Sequence, residues 1–365
     1  MCNFIHGDCL EVMKTFKDNY VSSIVTDPPY GLKFMGKNWD HGIPGVEYWS
    51  EALRVTKPGG FLLAFGGTRT YHILTCAIED AGWEIRDCIM YIYGTGFPKS
   101  HNKFGLEGYG TALKPAYEPI LVAMKKCDST FKQNAEKWGQ AGLYIDGCRI
   151  PTNGEKPKGS GTCTGNINFK SGSLGNGGNQ TPELGRWPAN IILDEEAGKM
   201  LDEQTGILTS GANKPINTPK KNNIYNGGWK TSNPYLTRES NSGGASRFFY
   251  CAKASPSEKN AGCEKLDDKI GGGLNATVCG DTRTGNITIQ KNNHPTVKPL
   301  KLMKYLVKLI APPKDGLILD PFCGSGSTIL ACHQLGIESI GIEKEEEYVR
   351  IAKSRVNYIK FKNFM

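Results

Sequence analysis

Two short apolar runs at opposite ends of the chain, each stopping at an aspartate followed by proline, constrain the fold more than any other feature. Residues 21–25 lead into Asp27-Pro28-Pro29-Tyr30, and residues 317–319 lead into Asp320-Pro321-Phe322-Cys323-Gly324-Ser325-Gly326. A brief, mainly apolar run bounded by turn residues is the pattern of a parallel strand covered on both faces. In an open α/β sheet the loops at the carboxyl ends of neighbouring strands form the ligand crevice. If these two strands are neighbours, their loops build one site.

The surrounding sequence supports such a sheet. Between residues 1 and 126, strand patterns (3–6, 21–26, 61–65, 83–93, 117–124) alternate with helical spacing (10–16, 48–55, 71–81). Pro119 interrupts the last strand and suggests an edge or bulge position. After His294 the alternation resumes. Pro299 opens a helix whose Leu300, Met303, Val307 and Ile310 share an apolar face, with Lys301, Lys304 and Lys308 turned away. A strand at 317–319, a helix at 327–335, a strand at 337–342 and a helix from about Glu345, with Tyr348, Ile351 and Ala352 on one side, complete the chain. The expected fold is therefore α/β: a doubly wound, mainly parallel sheet with helices on both faces. Residues 1–126 and 294–365 form one domain from two chain segments.

Residues 127–293 differ in character. Gly, Asn, Ser, Thr and Lys dominate, and 159–179 reads as linker. Islands at 143–150, 187–193 and 247–252 suggest short strands in a loop-rich inserted domain. Lys and Arg exceed Asp and Glu by 8, which is compatible with a polyanionic partner. None of the 12 cysteines stands in a Cys-x-x-Cys pair, so reduced thiols in a cytoplasmic protein are expected rather than zinc or disulfides. Neither a secretion signal nor a membrane-spanning run is expected from these residues, nor is a metal site.

The loop at 320–326 lacks both the third glycine of a dinucleotide fingerprint, where Ile329 stands, and the Gly-Lys-Ser/Thr of a phosphate loop. What remains is a Gly-rich turn that opens a helix at Ser327, followed by a strand ending in the acid Glu343. That spacing suits a carboxylate taking ribose hydroxyls in a nucleoside site without a pyrophosphate, and S-adenosylmethionine fits it. The same turn could be purely structural. At the other end, consecutive prolines stiffen the backbone and bias Asp27 towards an extended conformation. The Asp27 carboxylate and the Pro28 carbonyl offer two acceptors beside the Tyr30 ring. That arrangement suits a planar base with an exocyclic NH2, turned so that its nitrogen can attack a methyl sulfonium in line. A rigid turn with a capping aspartate is the competing reading.

Together the two motifs resemble the amino-group DNA methyltransferases, which methylate adenine N6 or cytosine N4. Their order, Asp-Pro-Pro-Tyr before Phe-x-Gly-x-Gly with a long insertion between, is similar to the circularly permuted β class. The likeness covers both flanks, about half the chain. It implies a seven-stranded methyltransferase sheet, with 127–293 as the target-recognition domain. It makes Asp27, Pro28, Pro29 and Tyr30 catalytic. Around S-adenosylmethionine it places Asp320, Pro321, Phe322, Gly324, Ser325, Gly326, Ser327 and Thr328, with Glu343 on the ribose. Gly7-Asp8 and Cys9 would lie by the adenine ring, and His294, Thr296 and Lys298 in the segment closing on the methionine moiety. Asp at the first hook position favours adenine within that family.

A base within a duplex must be flipped out to reach such a pocket. The segment 31–39, with Lys33, Lys37 and Trp39, could grip DNA, and Phe97 could wall the flipped base. In the insertion, Lys220, Lys221 and Lys230 are interleaved with Tyr225, Trp229 and Tyr235, as in a phosphate-contacting stretch. Solvated loops are the competing account of each. The expectation is a site-specific adenine-N6 methyltransferase acting on double-stranded DNA. Cytosine-N4 transfer is the alternative, followed by an RNA or protein amide or amine methyltransferase. A silent DNA-binding module is the remaining class. The resemblance also allows a homodimer and a cognate restriction endonuclease as partners.

Overall fold

The computed structural model describes residues 2–32, 42–94, 96, 105–152, 185–210, 241–252, 261–263, 269–271, 288–290, 292, 294 and 297–362. In chain order the elements are β1 (Cys2–His6), α1 (Cys9–Lys14), β2 (Ser23–Thr26), α2 (Val46–Val55), β3 (Phe61–Phe65), α3 (Tyr71–Asp80), β4 (Glu84–Ile92) and β5 (Tyr117–Met124). Then come α4 (Phe131–Trp138), β6 (Ile191–Asp194), α5 (Glu195–Thr205), β7 (Leu208–Ser210), β8 (Asn241–Gly243), β9 (Tyr250–Ala252), β10 (Lys269–Gly271) and β11 (Thr288–Gln290). The C-terminal group is α6 (Leu300–Ile310), β12 (Leu317–Asp320), α7 (Ser327–Leu335), β13 (Glu338–Glu343) and α8 (Glu346–Lys362).

One nine-stranded sheet runs in the order β1-β13-β12-β2-β3-β5-β4-β6-β9. Every pairing in it is parallel except those that β5 makes with β3 and β4. The two flanks thus share one sheet, as their patterns imply. The seven strands expected are joined by two more, β6 and β9, from the 127–293 stretch. β7–β8 and β10–β11 form two separate antiparallel pairs.

Both faces of the sheet are covered, which explains the mainly apolar runs. All five residues of β3 are buried. Phe61, Leu63 and Phe65 pack in a core with α6 and α7, whereas Leu62 and Ala64 pack in a second core containing Trp49 of α2 and Leu74 and Ile78 of α3. Successive side chains of a strand alternate between faces, so one run feeds two cores. α6 is buried more widely than a single apolar face would require. Leu302, Tyr305, Leu306 and Leu309 are covered along with the expected four residues, while Lys301 and Lys308 stay exposed.

Three local expectations change. Pro119 is neither at an edge nor at a bulge, because β5 is an interior strand. Its carbonyl accepts from the Gly66 N–H at 2.9 Å, just past the last β3–β5 pair, Phe65 with Ile120. In an antiparallel ladder a residue's N–H and C=O address the same neighbour, so the missing donor faces a ladder that has already ended. Residues 143–150 do not form a strand: 146–148 is a 3₁₀ turn, and Cys148 packs into the α6 core. Residues 247–252 divide between a 3₁₀ turn at 245–248 and β9. No helix among the described residues is long and apolar enough to cross a membrane.

Candidate active site

β12 and β2 are parallel neighbours, in register at Ile318 with Ser23 and Leu319 with Ile24. Their C-terminal loops therefore leave the same edge of the sheet side by side. The Thr26 hydroxyl donates to Asp320 Oδ1 at 2.7 Å and ties the loops together. β1 and β13 end at the same edge, where the Gly7 N–H donates to the Glu343 carbonyl at 2.9 Å. These four strand ends surround a cavity of about 340 Å³, lined among others by Asp8, Asp27, His294, Asp320, Gly324 and Glu343.

At one end of the cavity the Gly-rich loop folds onto Glu343. The Gly324 N–H donates to Glu343 Oε2 at 2.7 Å, and the Glu345 N–H to Oε1 at 2.8 Å. Gly324 has φ of +53°, and a Cβ there would sit 2.6 Å from His294 Nε2. The His294 ring in turn packs edge-on against Tyr348 at 4.6 Å. Ser325, Ser327 and Thr328, at the start of α7, line the cavity together with Pro321 and Phe322. Gly326 differs from them: a Cβ on it would meet Ala352 Cβ at 2.8 Å, so its bareness serves packing against α8. Asp8 N-caps α1 through the Leu10 N–H and lies 3.5 Å from Lys344. Burial pushes the Cys9 thiol up to about 12, so it lines the cavity as a neutral group. Burial likewise raises the Asp320 carboxyl to about 7, against the pull of hydrogen bonds from Thr328, Thr26 and the Phe322 N–H.

At the other end stands the Asp-Pro-Pro-Tyr hook. Asp27 and Pro29 line the cavity, and Pro28 is buried. The Tyr30 hydroxyl donates to Asp27 Oδ1 at 2.7 Å. A Cβ on Gly67 would sit 3.3 Å from the Tyr30 ring, so that glycine lets the ring pack close. Lys298 lines the cavity too, but its ammonium lies 3.1 Å from Asp27 Oδ2 and 3.1 Å from Glu118 Oε2. Burial opposes its charge, yet the two carboxylates outweigh that and raise its pKa above the usual lysine value. The ammonium thus lies at the hook end of the cavity, between Asp27 and Glu118.

Thr296, Lys33, Lys37, Trp39, Phe97, Lys220, Lys221 and Lys230 lie outside the described residues, as does 159–179. Two residues escaped the sequence reading. Glu118 is an acid at the start of an otherwise apolar strand. Arg355, seven residues beyond Tyr348, falls on the apolar side of α8 and is buried. Its guanidinium donates to the Ser325 carbonyl (2.6 Å) and to the Ser325 and Ser327 hydroxyls (3.0 and 3.2 Å), bracing the loop from below. A cation within an apolar stripe was the available signal. Among the described residues no three His, Cys, Asp or Glu side chains gather as a metal would require.

The family model described as DNA methylase matches residues 21–354. The chain is 40% identical over 81 residues to the type II methyltransferase M2.LlaDCHI of Lactococcus lactis subsp. cremoris, which is 21% of this chain and 30% of that protein. It is 42% identical over 81 residues, with the same coverage, to the type II methyltransferase M2.DpnII of Streptococcus pneumoniae. The chain thus spans under a third of the length of these curated relatives. A crystal structure of the M1.HpyAVI–SAM complex superposes with a TM-score of 0.44 at 19% identity, covering 97% of this chain and 100% of that one.

Proposed function

Since the chain belongs to the DNA methylase family of N6 and N4 amino-methyltransferases, we propose that it methylates the exocyclic N6 of adenine at specific sites in double-stranded DNA, using S-adenosylmethionine. The observation that carries this reading is the opening of the Asp27 hook and the Gly324–Glu343 loop into one cavity. The residues fit the cofactor. Gly324 leaves a space that a Cβ would fill against His294. Glu343 accepts the Gly324 N–H on one oxygen and the Glu345 N–H on the other, and a carboxylate has about four acceptor sites, which leaves capacity for a ribose hydroxyl.

Held beside Gly324 and Glu343, S-adenosylmethionine would supply an electrophilic methyl for the amino lone pair, the S–C electron pair staying with sulfur and the surplus amino proton going to water. The chain's own work is to hold the acceptor. Asp27 accepts one amino hydrogen and the Pro28 carbonyl the other, which turns the nitrogen lone pair out of conjugation. Charge developing on that nitrogen meets a carboxylate already fixed by Tyr30, so little reorganisation is needed as the bond forms. Asp at the head of the hook favours adenine over cytosine N4. Residues 127–293, apart from the two strands they add to the sheet, serve as the target-recognition part. The expected DNA contacts are Lys220, Lys221 and Lys230 within that part and Lys33, Lys37, Trp39 and Phe97 on the N-terminal flank, and Thr296 belongs with the cofactor.

The test is methyl transfer from radiolabelled S-adenosylmethionine to unmethylated genomic DNA, digested to nucleosides. Label in N6-methyl-2′-deoxyadenosine is expected. Label in N4-methyl-2′-deoxycytidine would move the specificity, and transfer to RNA or protein alone would overturn the reading. Asp27→Ala is expected to lower turnover by at least about 100-fold while leaving cofactor affinity within about twofold. Loss of cofactor binding in that variant would show that the hook has another task.

A further inference from the structure

We propose that Glu118 and Lys298 form, with Asp27, a triad of net negative charge in which Glu118 is a positioning residue for methyl transfer; this rests on the reading above. An ammonium has three N–H donors, and three oxygens surround that of Lys298: Asp27 Oδ2 at 3.1 Å, Glu118 Oε2 at 3.1 Å and the Tyr30 hydroxyl at 3.2 Å. The Phe65 ring lies 4.7 Å from the same nitrogen. Although Lys298 lines the cavity, its donors are taken up by the hook, and none is left to grip a ligand.

Two consequences follow for Asp27. Its Oδ1 is held by Tyr30 and its Oδ2 by Lys298, so the carboxylate has one orientation, with a further lone pair on each oxygen for substrate. Its charge would also be cancelled by Lys298 if the two stood alone. Methyl transfer places positive charge on the amino nitrogen, which a neutral ion pair would scarcely stabilise. Glu118 supplies the second negative charge and restores a net charge of about −1 around the acceptor. β5 places it there because Glu118 pairs with Tyr91, beside the end of β3. Lys298 arrives from the segment just ahead of α6, 180 residues away in the chain.

The experiment compares Glu118→Gln, Lys298→Met and the double variant by kcat, KM for DNA, cofactor affinity and thermal midpoint. Glu118→Gln is expected to lower kcat about 10- to 100-fold, with cofactor affinity and KM each within about threefold of wild type. The double variant is expected to turn over faster than Lys298→Met alone, because the second change removes the carboxylate left without its cation. A merely structural role gives additive losses and a double variant slower than either single one. That result, or a wild-type kcat in Glu118→Gln, overturns the triad. Amine acylation of the native protein, mapped by mass spectrometry, needs no turnover. Lys298 should resist the reagent in wild type, react faster in Glu118→Gln, and always react more slowly than the exposed Lys301. Wild-type Lys298 reacting as fast as Lys301 would also overturn the triad. A wild type that protects Lys298 but does not methylate DNA would refute the function, and with it Glu118's role in methyl transfer, and would leave standing only the ion triad itself.

Discussion

Gly324 and Gly326 stand two residues apart in one loop, yet a methyl group added at each meets a different neighbour. At Gly324 it meets His294 Nε2 inside the cavity, and at Gly326 it meets Ala352 on α8. Both have positive φ, so each alanine also carries backbone strain of about 1 kcal/mol. Gly324→Ala is expected to weaken S-adenosylmethionine binding about tenfold, measured by calorimetry. Gly326→Ala should instead cost about 2 kcal/mol of stability through overpacking, measured by denaturant unfolding, at near-normal affinity. Asp320 gives a pH signature. Its carboxyl titrates near 7 in the fold against about 3.9 unfolded, so between those values the native state holds a proton that the unfolded chain has lost. The resulting stability is fully present below about pH 4, falls as pH rises to about 7, and is flat beyond. Asp320→Asn should match wild type near pH 4 and gain on it by up to about 1.4 kcal/mol per pH unit towards neutrality. Equal slopes in chemical denaturation would contradict the assignment. The motif residues were legible because proline and glycine act through their own backbones. Glu118 was not, since its meaning depends on a lysine far along the chain.

Among the elements, α8 shows how a helix can serve the site without lining it. Tyr348, Ile351, Ala352 and Arg355 lie on one stripe at helical spacing, and the stripe packs under the Gly-rich loop. The Arg355 guanidinium is buried against Ser325 and Ser327, where its loss would strand two or three acceptors. Arg355→Met, similar in volume, should cost about 1–3 kcal/mol of stability. Cofactor affinity should drop as the loop loosens, while kcat at saturating cofactor stays close to normal because Asp27 is untouched. A variant with normal affinity and only reduced stability would make Arg355 a core residue alone. The element boundaries were readable wherever an apolar run met a glycine or proline, as at both ends of α7. Pro119 misled because whether a strand lies at an edge or inside is a property of the sheet, not of the strand.

At the scale of the molecule, the inserted stretch is not a module clipped between two ends of a finished sheet. Ile192 of β6 and Ala252 of β9 lie in the same core as Phe65 and α6. Tyr250 stacks on Tyr305 at 4.1 Å, and Cys148 packs beside them. The islands at 187–193 and 247–252 could be seen as strands in the sequence, but their partner could not. β6 pairs with Met90, Tyr91 and Ile92 of β4, about a hundred residues earlier. A chain with 127–293 replaced by a short linker would leave one edge of β4 unpaired and uncover α6 where Tyr250 and Cys148 rest. Removing the buried Ile192 and Leu193 of β6 and the stacked Tyr250 forfeits roughly 2 kcal/mol each in apolar burial alone. That sum rivals the whole stability of an ordinary domain. The shortened chain is therefore expected to lose its cooperative thermal transition, followed by circular dichroism, rather than to persist as a folded, cofactor-binding half. If it melts cooperatively and still binds S-adenosylmethionine, β6 and β9 are accessories to a sheet that stands without them.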